Sequence, residues 1–214
     1  MANTLADLET RVQDYLDKEV DEAGRFTQTR LDRAINDGYI DFCNKTRSKN
    51  RTASVTTVVS QSAYDLPDDM LRPVRIVYND TELTPTTYDA LNRERVGWQE
   101  EDAGTPDSWY INAAGSIAVV PAPSVNTYAL SVFGEIVPSD VTGGLALLSA
   151  STDTPALPYP YQVAPALYAV AYLAAHIFSG DAEAQASGQL AAAEYDDMIG
   201  DFIGSLVNES AYLK

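Results

Sequence analysis

The chain contains one histidine and one cysteine. One of each cannot supply the four His or Cys ligands of an ordinary zinc site. A single cysteine also closes no disulfide within the chain, which fits folding in a reducing compartment. Cys43 stands at helical spacing from Tyr39 and Phe42, the position of a buried apolar thiol rather than a reactive one. Lysine and arginine are absent between Arg95 and Lys214, a stretch that holds fourteen of the 31 acidic residues. With a net charge of −17, the chain is a poor seeker of nucleic-acid phosphates, whose binding depends on Lys and Arg. The sequence lacks a Walker-type phosphate loop, a dinucleotide glycine pattern and a calcium loop. No basic cluster leading into an apolar stretch opens the chain, so no signal peptide is expected. The longest apolar run, Val163 to Phe178, is too short to cross a bilayer and carries Pro165, Tyr168, Tyr172 and His176. It reads as a helix buried in protein, with His176 packed among its neighbours. No metal, no cofactor and no membrane are expected.

What remains is an ordinary globular composition, 214 residues with 45% hydrophobic side chains. Thr4 is placed to cap a helix whose apolar residues are Leu5, Leu8, Val12, Tyr15 and Leu16. An acidic link, Glu19 to Phe26, leads to a second helix from about Thr27 to Thr46, with Leu31, Ala34, Ile35, Tyr39 and Phe42 on one face. β-Branched residues then mark a strand over Ala53 to Ser60. Short strands follow at Tyr64–Leu66, Arg72–Tyr78 and Glu82–Thr84. Thr86 to Arg95 carries Tyr88 and Leu91 at helical spacing. A hairpin is expected from Ser108–Asn112 and Ser116–Val120, and a longer strand from Tyr128 to Ile136. Val137 to Leu157 has no periodicity and reads as a long loop. Pro155, Pro158 and Pro160 stiffen the approach to a helix starting close to Gln162, whose first turn tolerates Pro165. Ser179-Gly180-Asp181 stops that helix and caps the next. The last helix bears the stripe Tyr195, Met198, Ile199, Phe202, Ile203 and Leu206.

This order predicts an α+β fold: a four-helix bundle from N- and C-terminal helix pairs, with a small antiparallel β region inserted. The expected parts are a helical hairpin over 1–52, a β region with one short helix over 53–136 and an extended loop over 137–160. The C-terminal helix pair over 161–207 and a tail over 208–214 complete the chain.

Candidate chemistry is sparse. Glu100-Glu101-Asp102 lies near Trp98 and Trp109, and paired carboxylates beside an aromatic platform are the minimum of a glycan hydrolase. The alternative is a solvated acidic loop, and no catalytic residue is assigned. Lys45, Arg47, Lys49 and Arg51 follow the second helix closely. They suit a helix C-terminus as solvated charges, or a contact to acidic surface on a neighbouring copy, or a contact to DNA. Asp196, Asp197 and Asp201 occupy positions outside the apolar stripe of the last helix.

The segment Tyr64-Asp65-Leu66-Pro67-Asp68-Asp69-Met70, followed by Arg72-Pro73-Val74-Arg75-Ile76-Val77-Tyr78, resembles the head–tail connector adaptors of tailed bacteriophages. So do Gly104-Thr105-Pro106 before Trp109-Tyr110-Ile111, Ile117 to Pro123, and Leu157-Pro158-Tyr159-Pro160-Tyr161 opening an Ala/Tyr-rich helix. The order of these motifs, from about Leu31 to Phe202, carries the resemblance, which is to proteins similar to tail tubular protein A. It implies a non-enzymatic virion subunit at the head–tail junction, assembled in the host cytoplasm into rings of about twelve copies (dodecamers). Such rings sit below the portal, extend the channel for double-stranded DNA without binding it specifically, and dock the next tail or neck protein. The resemblance also implies that the tail Asn208, Glu209, Ser210, Ala211, Tyr212, Leu213 and Lys214 reaches towards the portal. Asp196, Asp197 and Asp201 would line the lumen, and Lys45, Arg47, Lys49 and Arg51 would join neighbouring copies. The remaining alternative is another tail-completion or baseplate-proximal virion protein.

Overall fold

A computed structural model describes residues 3–113, 115–139 and 145–212. The chain divides into two compact units, one formed by residues up to Ser48 together with those from Pro138 onward, the other by Lys49–Val137.

The first unit holds α1 (Leu5–Leu16), α2 (Gln28–Thr46), α4 (Ala164–His176) and α5 (Ala182–Tyr212). Local chemistry sets most of the ends. Thr4 and Asp7 form a reciprocal capping box, in which the Thr4 hydroxyl accepts from the Asp7 amide and the Asp7 carboxylate accepts from the Thr4 amide. These bonds hold the Asp7 carboxyl below its usual range. Helix α2 starts after Thr27 and ends at Thr46, as its periodicity predicts, with Arg47 in the left-handed region closing it. Asp181 caps α5 through the amides of Glu183 and Ala184. Pro165 sits in the first turn of α4, where no amide is needed.

Helix α4 is the hub: α5, α2 and α1 each pack on it more extensively than they pack on one another. It runs antiparallel to both α2 and α5. Two glycines permit the approach. A Cβ on Gly38 of α2 would lie 2.7 Å from the Pro165 carbonyl oxygen, and one on Gly188 of α5 would collide with Ala174. The buried face of α4 is made of Ala164, Ala166, Leu167, Ala169, Val170, Leu173 and Ala174. Cys43 is buried, as its spacing predicts.

The segment from 145 to α4 lacks regular structure, yet its polar groups are tied down. Asn36 pairs with both backbone groups of Leu148, donating to its carbonyl (2.9 Å) and accepting from its amide (2.8 Å). The carbonyls of Asp153 and Ser151 receive the first free amides of α1, Leu5 and Ala6. Ala156 donates to the Tyr39 hydroxyl, which burial pushes up to a pKa of about 12.

The second unit holds β1 (Asn50–Thr56), β2 (Ala63–Asp65), β3 (Met70–Tyr78), β4 (Thr81–Glu82), β5 (Thr84–Pro85), α3 (Tyr88–Glu94), β6 (Ser108–Ala113), β7 (Ser116–Val120) and β8 (Ala129–Ile136). One sheet has the order β1-β8-β3-β4 and is antiparallel throughout; the other has the order β2-β7-β6-β5, with β5 parallel to β6. Helix α3 covers the second sheet, with Leu91 against Tyr110, Ala118 and Val120.

The expected four-helix bundle with a small β insertion is therefore corrected. Among the described residues the fold is α+β with five helices and two four-stranded sheets. Three helices surround a central one because α4 is apolar on most of its circumference and can accept neighbours on several sides. The β part is larger than its short strands suggest, because β1 and β3 both find their partner in the distant β8.

Candidate assembly surfaces

The four clustered cations have different surroundings. Lys45, in the last turn of α2, lies 2.8 Å from the Asp41 carboxylate and 5.3 Å from the ring centre of Tyr195. The Tyr195 hydroxyl donates to the same carboxylate at 2.7 Å. Burial, reinforced by Asp41, raises the Tyr195 pKa and keeps its proton in place. Arg47 is exposed and donates its backbone N–H to the Cys43 carbonyl at 2.8 Å. Lys45 and Arg47 belong to the helical unit, Lys49 and Arg51 to the β unit. The Lys49 carbonyl accepts from Ile136, which joins the beginning of that unit to its end. Arg51 points inward: its Nη1 donates to both oxygens of Asp69 at 2.8 Å, and the Asp69 side chain is 0% exposed.

On α5, Tyr195 and Phe202 face the helical core, while Asp196, Asp197 and Asp201 are exposed. Asn208 to Tyr212, expected as a tail, continue the α5 backbone; Leu213 and Lys214 lie outside the described residues.

The acidic triplet divides as well. Trp98, Gln99, Glu101 and Asp102 line a cavity of about 330 Å³ with Ser60 and Ser62. Glu101 is held by Arg95 Nε at 2.6 Å, and the same guanidinium reaches Asp107 at 3.0 Å. Trp98 packs edge-on against Tyr88 and Tyr110, whereas Trp109 is buried in β6. His176 is the exposed last residue of α4, its ring 4.5 Å from that of Tyr172, not packed inside as expected. Among the described residues, no group of three or more His, Cys, Asp or Glu is arranged to hold a metal ion, and no helix is long and apolar enough to cross a membrane.

Two features escape the sequence reading. Arg30, Arg33, Ala34 and Asp37 of α2 form, with Tyr172 and Leu173 of α4 and Ile177 just beyond it, a groove of about 340 Å³. Ile203 and Leu206, which periodicity assigns to the core stripe, are each 42% exposed. Their exposure follows from helix lengths. Phe202 already packs against Tyr161, ahead of the first turn of α4, so α5 outruns the helix that covers it.

The family model described as SU10 adaptor protein matches residues 3–212, and the chain belongs to that family of phage adaptors. No curated protein matches the chain. The likeness carried by the Tyr64–Tyr78 and Leu157–Tyr161 motifs thus holds at the level of a phage adaptor, a virion component that meets other virion proteins.

Proposed function

We propose that the protein is a structural subunit of the head–tail connector. Copies assemble into a ring of about twelve beneath the portal, extend the channel through which double-stranded DNA passes, and present the far face to the next tail or neck protein. Membership of the adaptor family over residues 3–212 is the observation that carries this reading. The order of the Tyr64–Tyr78, Gly104–Pro106 and Leu157–Tyr161 motifs supports the position in the connector. Chemistry does no work here; the subunit acts by shape and charge.

In this reading the exposed carboxylates Asp196, Asp197 and Asp201 face the lumen and repel DNA phosphates, so that the duplex slides without adhering. The segment Asn208 to Lys214 reaches the portal. Lys45, Arg47, Lys49 and Arg51 together border the neighbouring copy and meet its acidic surface, while Lys45 and Arg51 also hold Asp41 and Asp69 within their own chain. Electron microscopy of the protein mixed with portal rings tests the proposal. An added ring of density beneath each portal is the expected result. Unchanged portals beside monomeric protein at saturating concentration overturn it.

A further inference from the structure

We infer that the joint between neighbouring copies is made by the outer half of α5 from one copy lying in the α2/α4 groove of the next; the inference rests on the ring proposed above. The flank of α5 is built for it. Asp196, Ile199, Ile203 and Leu206 recur at intervals of three, four and three residues and so share one side of the helix. Ile199 is half-buried, and Ile203 and Leu206 are each 42% exposed although apolar. An acid followed by three apolar anchors on one flank is the pattern of a helix that lies in a groove.

The groove complements it. Ala34, Leu173 and Ile177 supply apolar walls, Tyr172 a partly open ring, and Arg30 and Arg33 a basic rim. Arg33 has 82% of its side chain exposed and meets Asp37 only at 3.9 Å. Against this rim the stripe brings Asp196, at the edge between joint and lumen, while Asp197 and Asp201 point to the other side of α5, whose residues include no lysine or arginine.

A chain cannot fill its own groove. The groove lies at the C-terminal end of α4, where the start of α5 is anchored by the Gln185 side chain on the Ala174 carbonyl. The outer half of α5 sits at the opposite end of α4, where Phe202 meets Phe42 and Tyr161. The occupant is therefore a second copy. Stripe and groove are different surfaces, so the contact is head-to-tail, and repeated head-to-tail contacts that close give a ring.

Two disabled forms test the joint. Ile203→Glu removes the stripe and leaves the groove; Arg33→Glu spoils the groove and leaves the stripe. Both positions are exposed, and circular dichroism checks that each variant keeps its helices. Under conditions where wild type forms rings, with portal present if it is required, each variant alone is expected to remain monomeric. Mixed together they should form a one-to-one dimer, because one intact joint is possible, visible by native mass spectrometry. A second pair, Asp196→Arg with Arg33→Asp, should assemble better when both changes sit in one chain than when either is present alone. Variants that form rings as wild type does, or a mixture without dimer, overturn the inference and leave the ring standing. A wild type that never associates, with or without portal, overturns the ring and the inference together.

Discussion

Arg51 and Asp69 lie 18 residues apart, and together they tie β1 to the turn before β3. The carboxylate is fully buried, so its charge depends on the guanidinium for compensation. Arg51→Ala is expected to cost about 3 kcal/mol in chemical denaturation, the cost of a buried charge losing its partner. Arg51→Ala combined with Asp69→Ala should recover most of that loss. If the single change proves neutral, the pair contributes nothing to the fold. Glu9 behaves in the opposite sense. Burial, together with the neighbouring Asp32 carboxylate, raises its pKa from 4.5 to about 7, against the help of Gln28. A carboxyl raised on folding weakens the native state above the folded pKa, and that weakness disappears as pH falls towards the unfolded value. Glu9→Gln should therefore be more stable than wild type at about pH 8, with the difference vanishing towards about pH 4.5. Parallel melts of the two proteins across this range read the difference directly, and a constant gap would reject the assignment. Asp7, Asp153 and Asp181 have the reverse sign. Backbone amides depress their pKa values, so their contribution is present at neutral pH and lost as the solution is acidified through the folded values. Comparing wild type with Glu9→Gln cancels it.

At the scale of elements, the helical unit depends on how closely α2 and α5 approach α4. Gly38→Ala would set a methyl 2.7 Å from the Pro165 carbonyl and 2.8 Å from the Tyr168 Cβ, neither of which is the free end of a flexible chain. Overpacking of this kind costs about 1–3 kcal/mol, and the better helix propensity of alanine returns no more than about 1 kcal/mol of it. Net destabilisation is expected in thermal denaturation; a stabilised variant would mean that α2 can move away freely. The irregular segment before α4 is held differently, by side chains that imitate backbone partners. Asn36→Ala removes both bonds to Leu148 and should cost about 1–2 kcal/mol. Faster amide exchange and proteolysis confined to residues 145–157 are the expected signs. In the β unit, β3 carries register shifts between Met70 and Arg72 and between Pro73 and Arg75. These shifts space its interior residues as Met70, Pro73, Ile76 and Tyr78, and leave Leu71 and Val74 outside.

For the whole molecule, net charge is the property on which the proposed connector role most depends. Isolated copies carrying a net −17 repel one another, which favours assembly on a template over free association. If Asp196, Asp197 and Asp201 line the channel, changing all three to Asn should leave ring formation on the portal intact, because Ile199, Ile203 and Leu206 supply the main contacts of the joint. The same change should make DNA pass more slowly or remain bound at low salt. Ejection and DNA-retention assays on assembled particles measure this. Unaltered passage together with normal rings would remove these three residues from the lumen.

Helix limits were legible in the sequence because their causes are local. The Thr4 cap, the periodicity between Thr27 and Thr46, and the Asp181 cap all act within a few residues, and the structure adds Asp7 as the reciprocal partner of Thr4. The motifs that place the chain among phage adaptors were legible for the same reason, being ordered turn and strand chemistry. The bundle expectation failed because it depended on which faces meet. Nothing local reveals that β8 lies between β1 and β3, that α4 serves three partners, or that two bulges interrupt the alternation of β3. The candidate surfaces show the same divide. The sequence identified the exposed acids of α5, since they fall outside its apolar stripe. Only the tertiary structure turned Arg51 inward to Asp69, formed the α2/α4 groove and uncovered Ile203 and Leu206. Capping and periodicity are properties of neighbours along the chain, whereas burial and pairing depend on partners that folding brings from far away.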